Sequence, residues 1–486
     1  MNRAQALILV DDPHLVSSGL WPDRHAAQTP LWERAENVQF AGGKILRRIP
    51  NSFVVQDPDN FPNDPIRGIG QLQAADGVRW IYFIASVNVY RWYGPAPEFL
   101  YSAPHWTENA TVNTMPTYWD FVPWGDWMLF NEAENGLFRK SDGGTGPLPN
   151  APQDAIAILK KRNQLAAIGY GPGHRYVGFS DADDIENWNF ADPTTLAVEL
   201  PLEELNTPVR AACHFGPSIA VFGENQMFEV KWIGSPFYYG QQKLLEGIGA
   251  VGKMAVCSDA RMVYGFGRNG VWKTDGLQFS YIDEVVLRDY IQQNVNWAQA
   301  AKAVVRKNDV TGCIEVSFPI GTSLFNNDAW AYDPRYGGWS QVPPFEVMDN
   351  RILFAKPLQG TEGGKVELMF DNTAIAGPLF LETKAMLVQR DNQMLHIGAL
   401  VDELELFIHD VDKVQVQYGV AEYPDGPWTW TDPEEVVAKQ VTYKLKSQIS
   451  GVYHKLRFTS YEIDWKLDLQ GFALFGELDG YKRDKS

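Results

Sequence analysis

Hydrophobic and polar residues alternate in three short runs between positions 262 and 282, where the sequence reads MVYGFGRNGVWKTDGLQFSYI. Asn269 and Gly270 separate the first two runs and supply the positive φ that a tight hairpin needs. Asp275 and Gly276 separate the second run from the third. The pattern predicts three antiparallel strands, each with one buried face. Because such a meander cannot bury its apolar face alone, the pattern also predicts neighbouring units of the same kind.

Similar short strands recur along the chain after polar or glycine-containing turns. An aromatic residue or a methionine marks each of them, at positions 90, 138, 176, 228, 272, 330 and 369, with steps of 48, 38, 52, 44, 58 and 39 residues. A four-stranded propeller blade takes about 40 to 50 residues, so most steps fit one blade. The repeat is degenerate, because no Trp-Asp dipeptide or glycine pair recurs at a fixed place. We therefore expect an all-β fold in which residues 61–375 form a degenerate β-propeller of about six to eight blades. A large β-sandwich or a stack of β-domains is the alternative.

One segment of this region has a helical pattern. Apolar residues recur at helical spacing within residues 283–305, at Val286, Leu287, Tyr290, Ile291, Val295 and Trp297. The spacing predicts an amphipathic helix inserted between two blades and packed against the side of the propeller.

The first 60 residues have the pattern of an extended arm rather than of a blade. Prolines separate isolated apolar anchors, and one strand pair is predicted within residues 37–47. We expect the arm to lie across the propeller or across an adjacent subunit. Its candidate assembly residues are Leu20, Trp21, Leu31, Trp32 and Phe40.

The pattern of hydrophobic and polar residues changes again in residues 376–486. Cleanly alternating strands are predicted at 404–408, 414–418, 441–445 and 455–458, and the nearly continuous apolar run 469–475 must be buried. This region is predicted to be a C-terminal β-sandwich-like module, or else two further blades.

Composition and net charge exclude some classes of function. The chain has 486 residues and a net charge of −18, with 42 Lys and Arg against 60 Asp and Glu, and its pI is near 4.9. A free-standing nucleic-acid binder shows a basic face and a high pI, so the charge argues against that class. The three cysteines are far apart and odd in number, which is typical of a chain folded in a reducing cytoplasm. No apolar run approaches a signal peptide or a membrane span, so we expect a soluble protein made in the cytoplasm.

The most suggestive short motif is GIGAVGK at positions 247–253, which fits both GxGxxG and GxxxxGK. Both patterns bind phosphate only at a turn from a buried strand into a helix. Here Met254 stands where a P-loop needs Ser or Thr, and strand patterns follow it, so a nucleotide site is not predicted. The acidic pairs at 183–184 and 203–204 are interpreted as solvated surface rather than as a glycosidase pair. The sequence therefore predicts no catalytic residues, no metal site and no cofactor, and the protein is expected not to be an enzyme.

Three stretches in order resemble a known family, the nozzle or packaged-DNA stabilisation proteins of short-tailed bacteriophages, relatives of tail tubular protein B. The first is GLWPD at 19–23 with Trp32, NVQF at 37–40, Gly43 and the basic pair at 47–48; Trp21 stands where the family has Asn, and Ile49-Pro50 where Pro-Gly is usual. The second runs from HRYVGFS at 174–180 to Trp188, then through GEN at 223–225 and residues 247–253 to GRNGVW at 267–272. The third is C-terminal, with VQV at 414–416, PDGPW at 424–428, Arg457-Phe458, Trp465 and Gly471-Phe472.

The resemblance implies a structural virion protein. Six copies would form a ring, the tail nozzle, below the portal and the head-to-tail adaptor, and would act as conduit and seal for packaged double-stranded DNA. Its partners would be the adaptor, the tail spike or fibre and tail-needle proteins, with DNA passing transiently and without specific binding. The chain would be made in the host cytoplasm and reside in the virion tail. From the residues alone, the many Trp and Tyr in loops leave one alternative, a carbohydrate-binding or carbohydrate-cleaving propeller acting on host surface glycans.

Overall fold

The structure is a computed structural model that describes 42 strands and one α-helix. The described residues are 6–10, 32–36, 38–41, 44–47, 52–55, 66–85, 88–92, 98–102, 118–141, 144–260, 262–284, 287–335, 337–349, 358–360, 366–368, 379–390, 393–395, 399–411, 413–424, 426–436, 442–461 and 466–478. Five strands lie near the N-terminus: β1 (Ala6–Val10), β2 (Trp32–Glu36), β3 (Val38–Ala41), β4 (Lys44–Arg47) and β5 (Ser52–Val55).

Seven further sheets are four-stranded and antiparallel, and six of them are meanders in chain order. Sheet 1 contains β6 (Ile66–Gln73), β7 (Arg79–Ala85), β8 (Asn88–Trp92) and β9 (Glu98–Ser102). Sheet 2 contains β10 (Asp120–Trp124), β11 (Trp127–Glu132), β12 (Gly136–Ser141) and β13 (Gly144–Pro147). Sheet 3 contains β14 (Ala157–Lys161), β15 (Gln164–Tyr170), β16 (Tyr176–Phe179) and β17 (Val198–Pro201). Sheet 4 contains β18 (Ala211–Phe215), β19 (Ser218–Phe222), β20 (Gln226–Gly234) and β21 (Tyr238–Glu246).

The last three of these sheets repeat the arrangement, with one exception. Sheet 5 contains β22 (Val256–Asp259), β23 (Met262–Gly267), β24 (Gly270–Thr274) and β25 (Phe279–Tyr281). Sheet 6 contains β26 (Val304–Lys307), β27 (Ile314–Phe318), β28 (Asp328–Tyr332) and β29 (Trp339–Val342). Sheet 7 contains β30 (Val347–Asp349), β31 (Leu358–Gly360) and β32 (Val366–Leu368), and its fourth strand is the N-terminal β5.

The first strands of neighbouring sheets contact one another. This holds from β6 through β10, β14, β18 and β22 to β26, and β30 contacts β6, so sheet 7 lies beside sheet 1. The strand patterns of residues 262–282 fall on β23, β24 and β25, as predicted. Gly265 pairs with Trp272 across β23 and β24, and the absence of a side chain on Gly265 makes room for the indole ring. Of the seven repeat positions, the first six each lie in the third strand of a sheet, and Met369 lies outside the described residues.

The inserted helix is shorter than predicted. The α-helix α1 (Arg288–Asn294) has seven residues and is followed by a single 3₁₀ turn, Ala300–Lys302. The helix ends because Val295 has an extended backbone, with φ −62° and ψ 131°, and forms a β-bridge with Ile320. Leu287 and Ile291 are buried, so the predicted apolar face does pack inward. No helix in the described part of the chain is long and apolar enough to cross a membrane.

The C-terminal strands form two larger antiparallel sheets rather than further four-stranded meanders. Their strands are β33 (Leu379–Thr383), β34 (Met386–Arg390), β35 (Gln393–Leu395), β36 (Ala399–Val411), β37 (Val414–Ala421), β38 (Thr429–Trp430), β39 (Glu434–Val436), β40 (Thr442–Gly451), β41 (Tyr453–Ser460) and β42 (Lys466–Leu478). The six-stranded sheet has the order β3-β4-β42-β36-β40, with β1 also paired to β42. The eight-stranded sheet has the order β2-β33-β41-β34-β35, with β37 on β41 and with β38 and β39 on β37.

The N-terminal residues differ most from the predicted arm. Four of the five N-terminal strands belong to the two larger sheets, and β5 completes sheet 7, so these residues are integral strands. The physical reason is that an isolated extended segment gains most when its backbone groups complete the edge of an existing sheet. A continuous apolar core joins both parts of the chain, and it includes Trp272, Leu287, Trp339, Leu404 and Phe472.

Candidate assembly interface

Two of the five predicted arm residues lie in the described part of the chain, and both are buried. Trp32 on β2 is 3 % exposed and meets the ring of Phe458 edge-on, with ring centroids 5.7 Å apart. Phe40 on β3 is 2 % exposed and belongs to the same core. Leu20, Trp21 and Leu31 lie outside the described residues. Trp32 and Phe40 are therefore occupied by contacts within their own chain.

The strand β3 also connects the two parts of the molecule. It contacts β29, the last strand of sheet 6, and the backbone amide of Phe40 donates a hydrogen bond of 2.8 Å to Ser340 Oγ. That bond is buried and joins residues 300 positions apart. The C-terminal sheets are thus attached to sheet 6 through a segment from the N-terminus.

A buried polar cluster closes the ring of contacts between sheet 1 and sheet 7. Arg67 on β6 pairs with Glu346, directly before β30, and Tyr118 donates a hydrogen bond of 2.9 Å to Glu346 Oε2. The hydroxyl of Tyr118 also lies 2.6 Å from the carbonyl oxygen of Lys302, and the side-chain amide of Asn326 donates a hydrogen bond of 2.9 Å to the same carbonyl. Burial raises the pKa of Glu346, and the charge of Arg67 opposes that rise. The cluster therefore joins the segments that lead into sheets 2, 6 and 7 to the first strand of sheet 1.

A second polar contact, largely shielded from solvent, joins segments of two sheets that are not neighbours. Lys253 lies just before sheet 5, yet its ammonium group is 3.0 Å from Asp120 Oδ2 and donates to the carbonyl oxygen of Tyr118 at 2.9 Å, both at the start of sheet 2. Asp120 also accepts a hydrogen bond of 3.0 Å from the amide of Ile158 on sheet 3. Burial raises the pKa of Asp120, and the charge of Lys253 counteracts it. The side chain of Lys253, from the segment before sheet 5, thus contacts the start of sheet 2.

These contacts give the motif at 247–253 a structural role. A Cβ on Gly249 would overlap the backbone of Glu224, and a Cβ on Gly252 would overlap the carbonyl oxygen of Ala301. The glycines are needed because this segment, which links sheet 4 to sheet 5, passes against other backbone, while Lys253 supplies the contact across to sheet 2. The segment leads into strand β22 and not into a helix, so it lacks the strand-to-helix turn that both phosphate-binding patterns require.

The acidic pairs singled out in the sequence lie apart from this cluster. Asp183 accepts a hydrogen bond of 3.0 Å from Asn163, and Asp184 accepts one of 3.0 Å from the amide of Glu186. Glu203 and Glu204 are exposed. Over the described ranges, no three His, Cys, Asp or Glu side chains come together as a group able to hold a metal ion.

The last two strands of sheet 4 form an apolar projection. Strands β20 and β21 have nine residues each, the longest among the seven sheets, and they form a hairpin with Ile233 52 % exposed and Phe237 71 % exposed. Trp232 stacks on Tyr238 at 5.5 Å and meets Tyr239 edge-on at 5.1 Å. These aromatic contacts fix the hairpin end that presents the two exposed side chains.

A groove of about 650 Å³ lies between this hairpin and β17, the last strand of sheet 3. Gln241 of the hairpin donates a hydrogen bond of 2.8 Å to the carbonyl oxygen of Pro201, which fixes one strand relative to the other. The hairpin and the Arg67 cluster were not identified from sequence. The signal for the hairpin was present in the apolar turn SPFYYG at 235–240, which is unusual for a turn exposed to water.

Comparison with known proteins gives only distant likenesses. No protein family matches the chain, and no curated protein is significantly similar to it. Among solved structures, the chain is similar to the extracellular domain of a putative one-component system from B. thetaiotaomicron, with 9 % identity and a TM-score of 0.42, covering 79 % of this chain and 48 % of that one. It is also similar to the extracellular domain of a putative hybrid two-component system from B. thetaiotaomicron, with 9 % identity and a TM-score of 0.43, covering 71 % and 47 %. The chain spans about half the length of both structures.

Proposed function

We propose that this chain is a structural subunit of the tail nozzle of a short-tailed bacteriophage. Six copies form a ring below the head-to-tail adaptor, and the ring is a conduit and seal for packaged double-stranded DNA. The protein acts in the virion tail, contacts the adaptor, the tail spike or fibre and the tail-needle proteins, and catalyses no reaction. The proposal begins from the order of the three sequence stretches described above.

One structural observation carries the proposal furthest. The N-terminal strands contribute to both large C-terminal sheets and to sheet 7, so a single short segment connects all parts of the chain. Separating those parts would break strand pairing, a buried hydrogen bond at Ser340 and a shared apolar core. Such a chain is suited to withstand force as one body, which a tail component under the pressure of packaged DNA requires.

In this proposal the seven sheets are the blades of a propeller. Sheet 7 is completed by β5, so the two ends of the blade array are held together, and the two larger sheets are the halves of a C-terminal β-sandwich. The contacts of Lys253 and Arg67 occupy the space between the first strands. The DNA path is therefore formed between subunits of the ring and not along the axis of any one propeller.

Ring formation needs two different surfaces on each subunit, because a closed ring of more than two copies uses heterologous contacts. The described arm residues Trp32 and Phe40 are buried in their own chain and do not supply one. The β20–β21 hairpin does, since Ile233 and Phe237 expose apolar surface on a rigid support. We assign the hairpin to the contact with the next subunit.

Mass photometry of the purified chain over a concentration series tests the ring. The expected assembly has six times the 54.8 kDa chain mass, and negative-stain images should show a central opening wide enough for a DNA duplex. Phe237→Asp should prevent assembly, because a charge cannot be buried unpaired in an apolar contact. The matched control is Tyr423→Asp, since Tyr423 is 70 % exposed and lies on the C-terminal part.

Two outcomes would count against the proposal. The first is a wild-type chain that stays monomeric alone and also in the presence of the head-to-tail adaptor protein of the same phage. The second is reproducible cleavage or tight binding of host surface polysaccharide, which would favour the glycan-directed alternative. If rings form equally well with Phe237→Asp and Tyr423→Asp, the ring stands but the hairpin is not its contact.

A further inference from the structure

A pocket of about 320 Å³ lies at the junction of sheets 4 and 5. Its buried lining residues are Ile248, Gly249, Gly267 and Trp272, so they form the floor. The indole N–H of Trp272 donates a hydrogen bond of 2.9 Å to the carbonyl oxygen of Gly249, which fixes the ring there. Exposed and half-buried polar residues form the rim: Asn206, Thr207, Glu224, Asn225, Arg268 and Asn269. An apolar floor inside a polar rim is typical of an anchor pocket in a protein–protein interface.

Three short motifs of the sequence meet at this pocket. GEN at 223–225, the motif at 247–253 and GRNGVW at 267–272 each contribute residues to its lining. Two glycines allow the segments to approach, because a Cβ on Gly249 would overlap the backbone of Glu224. A Cβ on Gly267 would lie 3.0 Å from the carbonyl oxygen of Gly249 and 3.3 Å from Nε1 of Trp272. The glycines therefore build the pocket from backbone, without a role in phosphate binding.

The pocket and the tip of the β20–β21 hairpin lie at opposite ends of one strand. Asn225, on the rim, directly precedes β20, and Gly234 is the last residue of that strand. The chain advances nine residues between them, which at about 3.3 Å per residue spans roughly 30 Å. One subunit therefore carries a protruding apolar tip and a separate concave surface far from it. A heterologous contact requires two such different surfaces on each subunit.

We propose that this pocket receives the hairpin tip of the neighbouring copy of the chain, with Phe237 as the anchor. The assignment rests on the ring proposed above, in which the tip contacts the next subunit, and it identifies the receiving surface. Phe237 is 71 % exposed and Ile233 is 52 % exposed. Because a cavity of about 150 Å³ holds a benzene molecule, a pocket of about 320 Å³ has room for the phenyl ring of Phe237 and part of Ile233.

Charge also matches the tip to the pocket. Among the described lining residues only Arg268 and Glu224 are charged, and they pair with each other at 2.8 Å, so the pocket offers no net charge to a phosphate or to a charged peptide. The tip, IGSPF at 233–237, carries no charged side chain either. The rim asparagines can each donate and accept hydrogen bonds, which suits the backbone of an incoming turn and the hydroxyl of Ser235.

Cysteine cross-linking of the full-length chain tests the contact. Ser235→Cys combined with Asn225→Cys retains Phe237 and should give, after mild oxidation, disulfide-linked species of two to six chains on a non-reducing gel. The two cysteines cannot pair within one subunit, because β20 separates them while the Cα atoms of a disulfide lie about 4.4 to 6.8 Å apart. Ser235→Cys with Gln278→Cys is the control, since Gln278 is exposed and does not line the pocket. The wild type gives the background of its own cysteines, Cys213, Cys257 and Cys313.

Blocking the pocket gives a second readout. Asn225→Trp and Asn269→Trp each place an indole at an exposed rim position and should prevent assembly in mass photometry. Asn225→Trp mixed with Phe237→Asp should give dimers and nothing larger, because one intact tip meets one intact pocket. The assignment is overturned if Ser235→Cys with Asn225→Cys cross-links no more than the control, or if both Trp variants assemble as the wild type does. A wild-type chain that stays monomeric defeats the ring itself, whereas a ring without the cross-link defeats only this contact.

Discussion

The guanidinium of Arg67 and the carboxylate of Glu346 lie 2.5 Å apart and join the first strand of sheet 1 to the segment that begins sheet 7. Their side chains are 6 % and 1 % exposed. The Glu346 carboxylate also accepts the hydrogen bond of the Tyr118 hydroxyl. Its other oxygen accepts a hydrogen bond of 3.0 Å from the backbone amide of Asn326. The pair therefore closes the ring of sheets at a point from which water is excluded.

Removing one partner of this pair should destabilise the fold severely. Arg67→Met leaves the Glu346 charge buried without its main partner, and breaking a buried ion pair in this way costs about 3 to 5 kcal/mol. Urea unfolding followed by tryptophan fluorescence measures the loss. The matched control is Arg268→Ala, which breaks an ion pair with Glu224 at 2.8 Å whose arginine is 75 % exposed. That control should cost no more than about 1 kcal/mol, and equal losses in the two variants would contradict the structural role of the Arg67 pair.

The glycine pattern at 247–253 gives a second prediction. Gly252→Ala should destabilise the protein by about 1 to 3 kcal/mol or more, because the new Cβ meets the backbone of Ala301, which cannot rotate away. Gly146→Ala is the control, since no atom lies within 4 Å of the Cβ position there. We expect that control to be neutral or slightly stabilising, as a glycine replaced at a compatible backbone position loses unfolded-state entropy. Thermal unfolding of both variants measures the two stability changes. If Gly252→Ala is as stable as the wild type, close packing does not explain the glycines of the motif.

Local patterns in the sequence predicted much of the secondary structure. The alternation at 262–282 corresponds to β23, β24 and β25, and the C-terminal patterns fall on β36, β37, β40, β41 and β42. These predictions succeed because a strand with one buried face must alternate, whatever its partners are. The predicted helix was too long. Apolar residues continue at helical spacing through Val295 and Trp297, but the backbone at Val295 is extended and the helix ends before it.

Pairing between distant segments could not be predicted in this way. Trp32 and Phe40 have the appearance of arm anchors in the sequence, and only the structure shows that β2 pairs with β33 and that β4 pairs with β42. Periodicity identifies a buried face but contains no information about which segment covers it. The same holds for Arg67 and Glu346, each of which is an ordinary charged residue until the fold brings them together.

Acid should weaken the C-terminal part through one histidine. His454 on β41 is fully buried, with the hydroxyl of Tyr418 against Nδ1 and no partner for Nε2, and burial lowers its pKa to about 4. A group with a lowered folded-state pKa contributes stability above its unfolded pKa of about 6.5, and that stability is lost as the pH falls towards 4. We expect a loss of about 3 kcal/mol over this range. Urea unfolding at a series of pH values measures it.

A pair of variants isolates the histidine. His454→Phe with Tyr418→Phe retains two stacked rings in the core and should flatten the pH dependence between 6.5 and 4. Tyr418→Phe alone retains the histidine and should preserve that dependence. An unchanged pH profile in the double variant would show that other groups cause the acid sensitivity.

The N-terminal strands give the last prediction. Trp32→Ala removes a buried indole from the contact with Phe458 and should destabilise the eight-stranded sheet by about 3 to 5 kcal/mol. Hydrogen–deuterium exchange of the amides in β33 and β41 measures the effect. Tyr461→Ala is the control, because Tyr461 is 70 % exposed. Unchanged exchange in Trp32→Ala would mean that the contact of β2 with Phe458 does not stabilise the eight-stranded sheet.

The position of β5 in sheet 7 constrains how the protein is made. Val55 leaves the ribosome early, yet it pairs with Val366, which follows roughly 310 residues later. At about 5 to 20 residues per second, the early strand waits roughly 15 to 60 s for its partner. During that interval β5 lacks its partner strand, and sheet 7 cannot be completed. Sheet 7 can therefore be completed only after Val366 has been synthesised, and we expect a chain truncated before Val366 to depend on chaperones for its solubility.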